Sequence, residues 1–264
     1  MVQGRTVQRV AVHQADSIAW AQDVASKRGA PCFDHTITDP PYPEHVQGEG
    51  RMFGATVGRR VQEVSAGFAV RAPLETFVPS VLALTRRWSL FFCDLESLGA
   101  FREVSPAEHI RSGLYVKTRA QPQLTADRPG SGAEGIAIFH GATVRKRWNN
   151  GGKANVWYAC PENRKTALHP TSKPVMLCAA LLEAFTDQDD LIFDPFAGAG
   201  NVGLACLLTG RRYYGLELNA EHVASARSKF DAFLAEPGPL LDKWEKYKLS
   251  REDKTLYDRT ESEA

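Results

Sequence analysis

The sequence predicts an α/β fold, an open and mostly parallel sheet with helices on both faces. Short apolar runs, typical of buried strands, alternate with longer amphipathic stretches along most of the 264 residues, the pattern of parallel sheets with crossover helices. Two of these runs end in turn-forming residues, Asp-Pro-Pro-Tyr at 39–42 and Asp-Pro-Phe-Ala-Gly-Ala-Gly at 194–200. The 43% hydrophobic content allows one domain with a full core.

The first half of the chain predicts strands and helices in turn. The helix at 17–28 has Ser17 or Asp16 as its cap. Residues 43–72 are rich in Gly and Arg without clear periodicity, which indicates a long mobile loop of the kind that usually serves function. The predicted strands are 7–12, 33–39, 88–93 and 113–117, and the other predicted helices are 74–86 and 95–102.

The second half continues the alternation after a Pro-, Gly- and Ser-rich stretch at 121–135. The last predicted helix of the domain is capped by Asn219. We assign residues 1–239 to one domain and 240–264 to a charged tail, expected as a surface helix with a frayed end. The predicted strands are 136–139, 191–194 and 213–218, and the predicted helices are 175–185, 201–209 and 220–234.

Charge is distributed unevenly. The formal net charge is +1, so the whole chain gives no electrostatic argument for nucleic acid. Residues 145–173 hold seven basic residues against Glu162 alone. This local excess suits a face that contacts phosphates, and an ordinary solvated loop is the alternative explanation. Its members are Arg145, Lys146, Arg147, Lys153, Arg164, Lys165 and Lys173.

The five cysteines are widely spaced and odd in number. Three of them sit in apolar runs, where we predict small core residues. None forms a Cys-x-x-Cys pair, and we expect no metal site. This usage favours a reduced, cytoplasmic setting. We find no apolar run near 18 residues and no charged-then-apolar leader, so we expect neither a membrane span nor a signal peptide.

The glycine-rich turn at 196–200 predicts a ligand site beyond a strand end, because glycine lets the backbone approach a ligand closely. The following helix offers free N–H groups to an anionic group. Such a turn can also bind nucleotide phosphates. Asp194 at the strand end would repel phosphate and attract an ammonium group, and Glu217 at the end of the next strand can accept from two ribose hydroxyls.

The turn at 39–42 predicts a site for an amine. The Asp39 carboxylate can accept from one N–H group and the Pro40 carbonyl from the other, and Pro41 fixes the direction of that carbonyl. Tyr42 offers a flat face on which a base can stack. A simple turn would explain the tetrapeptide in isolation. Its place at a strand end, in one chain with the glycine-rich turn, favours the amine site.

With His-Pro-Thr-Ser-Lys-Pro at 169–174, the two turns resemble the permuted β group of S-adenosylmethionine-dependent DNA amino-methyltransferases. The resemblance implies a Rossmann-like methyltransferase fold and S-adenosylmethionine as cofactor. Within it, Asp16 would contact the adenine amino group of the cofactor, although capping a helix is an equally compatible role. The cofactor residues it implies are Asp16, His169, Thr171, Ser172, Lys173, Asp194, Phe196, Ala197, Gly198, Gly200 and Glu217.

The implied substrate is an exocyclic amine of a base extruded from double-stranded DNA, N6 of adenine being favoured over N4 of cytosine. RNA methylation and a silent DNA-binding module are the less favoured alternatives. The sequence departs from the family pattern at Thr118, where proline is usual, and at Ser172, where glutamine is common. The recognition segment, 140–168, is short, which implies a short site, a homodimer or relaxed specificity. The DNA contacts we predict are Arg51, Arg59, Arg60, Lys117, Arg145, Lys146, Arg147, Lys153, Arg164 and Lys165.

Overall fold

The structure is a computed structural model that describes residues 9–41, 73–120, 122, 127–141, 144–161 and 172–250, and the helical backbone as far as residue 260. The predicted loop and most of the His-Pro-Thr-Ser-Lys-Pro segment lie outside the described residues. The site predictions that fall there are Tyr42, Arg51, Arg59, Arg60, Arg164, Lys165, His169 and Thr171.

The described residues form eight strands and seven helices, with bounds close to those predicted. The strands are β1 (Val10–Gln14), β2 (His35–Thr38), β3 (Trp88–Cys93), β4 (His109–Lys117), β5 (Ala133–His140), β6 (Val156–Ala159), β7 (Leu191–Asp194) and β8 (Arg212–Glu217). The helices are α1 (Ser17–Lys27), α2 (Leu74–Leu84), α3 (Leu98–Val104), α4 (Val175–Phe185), α5 (Asn201–Thr209), α6 (Ala220–Ala235) and α7 (Gly238–Thr260).

All eight strands belong to one sheet, in the order β1-β8-β7-β2-β3-β5-β4-β6. Every pairing is parallel except the two made by β5, which runs against both β3 and β4. The prediction of an open, mostly parallel sheet is therefore confirmed. Strand β6 was not predicted, and it pairs with β4 alone.

Side chains at the helix ends explain where two helices begin. Asp16 caps α1 by accepting from the N–H groups of Ile18 and Ala19, and Asn219 caps α6 in the same way, as predicted. Both caps follow strands at the same edge of the sheet, so each helix starts beside a strand's carboxyl end.

Two hydrophobic clusters fill the two faces of the sheet. On one face, α4 lies buried along most of its length and packs beside α5. On the other, the rings of Phe33 and Phe193 stack with centroids 4.3 Å apart. In α7, the Trp244 side chain is buried and the Tyr247 hydroxyl donates to the Tyr158 carbonyl of β6, so this part of the helix packs on the domain.

The antiparallel strand decides what meets at each edge of the sheet. The seven other strands share one direction, so their carboxyl ends lie together at what we call the carboxyl edge. Strand β5 begins at that edge and carries the chain to the opposite one, the amino edge. No helix in the described part of the chain is long and apolar enough to cross a membrane.

Candidate functional site

The glycine-rich turn links the end of β7 to α5 at the carboxyl edge. Gly198 and Gly200 both take left-handed backbone conformations, with φ of 50° and 78°, which glycine adopts without strain. A Cβ on Gly200 would lie 2.7 Å from the Ala226 Cβ, whereas a Cβ on Gly198 would meet nothing within 4 Å. Gly200 is therefore required by packing, while Gly198 faces open space beside the turn.

Glu217 ends β8 next to this turn, as predicted. Its carboxylate accepts from the N–H groups of Gly198, at 2.8 Å, and Asn219, at 2.9 Å. The His222 ring lies 3.6 Å from the same carboxylate. Burial acts to raise the pKa of Glu217, but these hydrogen bonds outweigh it and the pKa is lowered. The carboxylate is thus ionised and oriented, as an acceptor for hydroxyl groups must be.

Asp194 ends β7 but turns its carboxylate inwards. The side chain accepts from the Thr38 hydroxyl at 2.7 Å, the Tyr213 hydroxyl at 3.1 Å and the Phe196 N–H at 3.2 Å. The Asp194 side chain is 1% exposed, and this burial raises the pKa of its carboxyl group to about 7. Asp194 therefore ties β2, β7 and β8 together beneath the turn, and its contact with an ammonium group stays a prediction.

The link between Thr38 and Asp194 brings the two sequence motifs together. Thr38 is the last residue of β2, which pairs directly with β7, and Asp39 follows it. The turn that begins at Asp39, which we call the amine motif, therefore lies beside the glycine-rich turn at the carboxyl edge, although the two are far apart in the sequence. Asp16 joins them from β1, where the N–H of Ala15 donates to the Glu217 carbonyl at 3.0 Å.

Asp39 has a partner that the sequence did not suggest. The Lys173 ammonium lies 2.7 Å from Asp39 Oδ2, and its side chain is 4% exposed. Burial alone would lower the pKa of Lys173, but the neighbouring carboxylates outweigh burial and raise it. Lys173 was predicted to contact the cofactor, yet its ammonium lies on Asp39. Its carbonyl accepts from the Asn201 side chain at the start of α5.

Glu134, which no motif indicated, completes this cluster. Its Oε2 lies 3.1 Å from the Lys173 ammonium and its Oε1 lies 2.8 Å from the Lys117 ammonium. Burial acts to raise the pKa of Glu134, but the two lysines outweigh it and the pKa is lowered. Lys117, predicted as a DNA contact, therefore has its charge compensated inside the site. We call these four residues, Asp39, Lys173, Glu134 and Lys117, the charged row.

Arg145, Lys146 and Arg147 lie away from this site, unlike Lys173 of the same basic stretch, which differs from the prediction made for these three residues. The Arg147 carbonyl accepts from the Trp88 indole N–H at 2.7 Å, and its guanidinium pairs with Asp187 at 2.9 Å. Trp88 begins β3, so Arg147 lies at the amino edge, about 20 Å from the carboxyl edge for a six-residue strand. The reason is that β5 runs antiparallel and ends at the amino edge, so residues 144–147, including Arg145 and Lys146, follow it there.

The structure also shows the positions of Lys153 and Trp148. Lys153 lies exposed in the turn that precedes the amino end of β6. The Trp148 ring lies 4.8 Å from the Phe185 ring, and its indole N–H donates to the Gly151 carbonyl, so it is a packed aromatic. At the carboxyl edge, Arg119 stands exposed just after β4, a cation that the sequence analysis passed over.

The five cysteines form no disulfide, and three of them are buried. In the residues that the structure describes, no group of three or more His, Cys, Asp and Glu side chains is arranged to hold a metal ion.

The chain is similar to known methylases and methyltransferases. The model of the N6_N4_Mtase family, described as DNA methylase, matches residues 128–228. The chain is 37% identical over 78 residues to the putative methylase YubD of Escherichia coli (strain K12), covering 29% of this chain and 34% of YubD. It is 31% identical over 132 residues to the Type II methyltransferase M.XycI of Xanthomonas campestris pv. cyanopsidis, covering 46% of this chain and 44% of the relative.

The chain thus spans less than half the length of these curated relatives. A solved structure, the M1.HpyAVI-SAM complex, aligns with a TM-score of 0.64 over 84% of this chain and 98% of that one, at 18% identity. This likeness shows the fold: the described domain is a Rossmann-like α/β domain of the kind found in methyltransferases.

Proposed function

We propose that this protein transfers a methyl group from S-adenosylmethionine to an exocyclic amine of a base in DNA. The observation that carries the proposal is the meeting of two motifs at one edge. The Thr38 hydroxyl donates to Asp194 across 156 residues of sequence, so Asp39 and the glycine-rich turn stand side by side. The family match over residues 128–228 and the similarity to YubD and M.XycI support the same assignment.

The cofactor side offers three features that fit S-adenosylmethionine. Gly198 leaves open space beside the turn, α5 presents its first N–H groups to a carboxylate, and the ionised Glu217 can accept from both ribose hydroxyls. Asp16 is the further contact we assign, to the adenine amino group of the cofactor. When bound, the cofactor supplies an electrophilic methyl group on its sulfonium.

The amine would be held by Asp39, whose ionised form is favoured by the Lys173 ammonium 2.7 Å from its Oδ2. The amine of adenine or cytosine is a poor nucleophile because its lone pair is delocalised into the ring. An ionised carboxylate and the Pro40 carbonyl, each accepting from one N–H group, would turn that lone pair towards the methyl group. The base must leave the duplex to reach these groups, and most of the rate would come from positioning.

The test is direct. The purified protein is incubated with duplex DNA and S-adenosylmethionine carrying a labelled methyl group, and the nucleosides are then analysed by mass spectrometry. We expect N6-methyladenine, because the family resemblance links Asp at the first position of the amine motif with adenine. N4-methylcytosine alone would move the assignment to the other base. Cofactor binding without transfer to any DNA would refute the proposal, and competition with structured RNA would reveal an RNA substrate.

The proposed substrate is double-stranded DNA, and the permuted order, with the amine motif first, is part of the proposal. A homodimer is one way in which the short segment at 140–168 could serve a longer target. Sedimentation of the protein with and without a duplex tests it, since a dimer would bind one duplex with two copies of the chain.

A further inference from the structure

We propose that Glu134 is a positioning residue for methyl transfer: its carboxylate holds the Lys173 ammonium against Asp39, which fixes Asp39 as an oriented acceptor. This inference rests on the proposed function, in which Asp39 accepts from the amine. It adds a residue that no sequence motif marks. Glu134 itself is placed one residue from the start of β5, at the carboxyl edge.

The geometry of the charged row supports this role. Each oxygen of Glu134 serves one lysine, with Oε1 2.8 Å from Lys117 and Oε2 3.1 Å from Lys173. The Lys173 ammonium therefore lies between two carboxylates, Asp39 at 2.7 Å and Glu134 at 3.1 Å. Its position is defined further by the Phe92 ring, whose centroid is 5.4 Å away.

Burial makes the second carboxylate necessary. A buried ammonium is costly unless anions and hydrogen bonds compensate it, and the Lys173 side chain is 4% exposed. Without Glu134, that charge would lose one of the carboxylates that compensate it. The Lys173 ammonium would then be held from one side only, and it would be free to rotate away from the direction that presents Asp39 to an amine.

The row also connects the two sides of the site. The Lys173 carbonyl accepts from the Asn201 side chain at 2.8 Å, and the Lys229 ammonium lies 2.9 Å from the oxygen of the same Asn201 side chain. Asn201 begins α5, directly after the glycine-rich turn. Lys173 thus has its backbone fixed to the cofactor side and its ammonium on the amine side, and Glu134 is what holds the ammonium there.

The charges that face Lys173 give the sign of its pH response. Asp39 comes from the end of β2, Glu134 from β5, Lys117 from β4 beyond Glu134, and the Cys93 thiol from the end of β3. Burial raises the pKa of the Cys93 thiol, which leaves it neutral. Removing the Glu134 charge takes away an anion that favours the ammonium, so we expect the pKa of Lys173 to fall.

The experiment compares wild type with Glu134→Gln and Glu134→Asp. Lysine labelled with ¹³C at Cε reports the titration of Lys173, whose signal is identified by its loss in Lys173→Met. We expect Lys173 of Glu134→Gln to titrate about one pH unit or more below wild type, since a neighbouring charge shifts a pKa by about 1–3 units. Glu134→Asp, which keeps the charge, should restore most of the difference. Glu96→Gln, the same change at an exposed position after β3, is the matched control.

Kinetics then test the positioning role. In Glu134→Gln we expect kcat to fall about tenfold or more while KM for S-adenosylmethionine stays within about twofold, and the alkaline limb of the rate profile to move to lower pH. Destabilisation with an unchanged alkaline limb and an unchanged Lys173 titration would overturn the inference. If wild type transfers no methyl group, the proposed function fails, and the positioning role fails with it; the titration still decides whether Glu134 holds Lys173.

Discussion

The Lys173 ammonium lies 2.7 Å from Asp39 Oδ2, although 134 residues separate them in the sequence. The contact joins two motifs that the sequence assigned to different ligands, one to the cofactor and one to the amine. A buried ammonium beside a carboxylate favours the ionised form of that carboxylate. The chemistry proposed for Asp39, accepting a hydrogen bond from an amine, requires that form.

Mutation should separate the two sides of the site. Asp39→Ala should abolish methyl transfer and leave cofactor affinity within a few-fold, since Asp39 stands on the amine side. Glu217→Ala should weaken cofactor binding about 10- to 150-fold, because a hydrogen bond to a charged group contributes about 1.5–3 kcal/mol. Calorimetric titration with S-adenosylmethionine measures both affinities. Lost affinity in Asp39→Ala with normal affinity in Glu217→Ala would reverse the assignment of the two sides.

The two left-handed glycines of the turn should respond differently to alanine. Gly200→Ala combines a φ of 78° with a Cβ placed 2.7 Å from the Ala226 Cβ, so it should destabilise the fold by about 1–3 kcal/mol or more. Gly198→Ala, with open space around its Cβ, should cost only about 1 kcal/mol. Urea denaturation measures the difference.

Cofactor titration of the same pair then tests the ligand role of the turn. Gly198→Ala should fold and still lose affinity, since its methyl group would enter the space we assign to the cofactor. Normal affinity in a folded Gly198→Ala would place the cofactor elsewhere.

Much of this architecture could be predicted because the strands and helices carry strong local patterns. Helices α2, α4 and α5 begin where their apolar periodicity begins. Strand β6 was missed because its four residues, Val156–Ala159, are too few to show a period and it pairs with a single neighbour. Each motif turn was predicted at a strand end, and the pairing of β2 with β7 brings the two ends together, because parallel strands share one carboxyl edge.

The locations of Glu134 and Arg147 could not be predicted from the sequence, because they depend on the antiparallel direction of β5. A rule that looks for functional residues at the carboxyl ends of strands works only while the strands are parallel. Strand β5 runs the other way. Glu134, near its beginning, therefore lies in the site, and Arg147, beyond its end, lies at the opposite edge of the sheet. The direction of β5 is decided by its pairing with β3 and β4 and not by its own residues, so neither residue's location could be inferred locally.

The stability of the fold should depend on the ionisation of Asp194. Its pKa is 3.8 in the unfolded chain and about 7 when buried in the fold, so the folded state prefers the protonated form. The stabilisation from that proton is complete below about pH 4 and is lost as the pH rises through about 7. Asp194→Asn, which cannot ionise, should remove this fall. Urea denaturation at a series of pH values tests it, and parallel curves for the two proteins would contradict it.

The position of the basic stretch gives the last prediction. Arg145, Lys146 and Arg147 lie at the amino edge, away from the charged row, so replacing all three with alanine should leave the salt dependence of DNA affinity nearly unchanged. Arg119 stands exposed at the carboxyl edge, and Arg119→Ala should reduce the slope of log affinity against log salt by about 0.9, the value for one phosphate contact on B-DNA. Binding to a labelled duplex across a salt series measures both slopes. If the triple variant lost about 2–3 units of slope while Arg119→Ala lost none, DNA would bind along the amino edge, and Asp39 could not reach an extruded base from there.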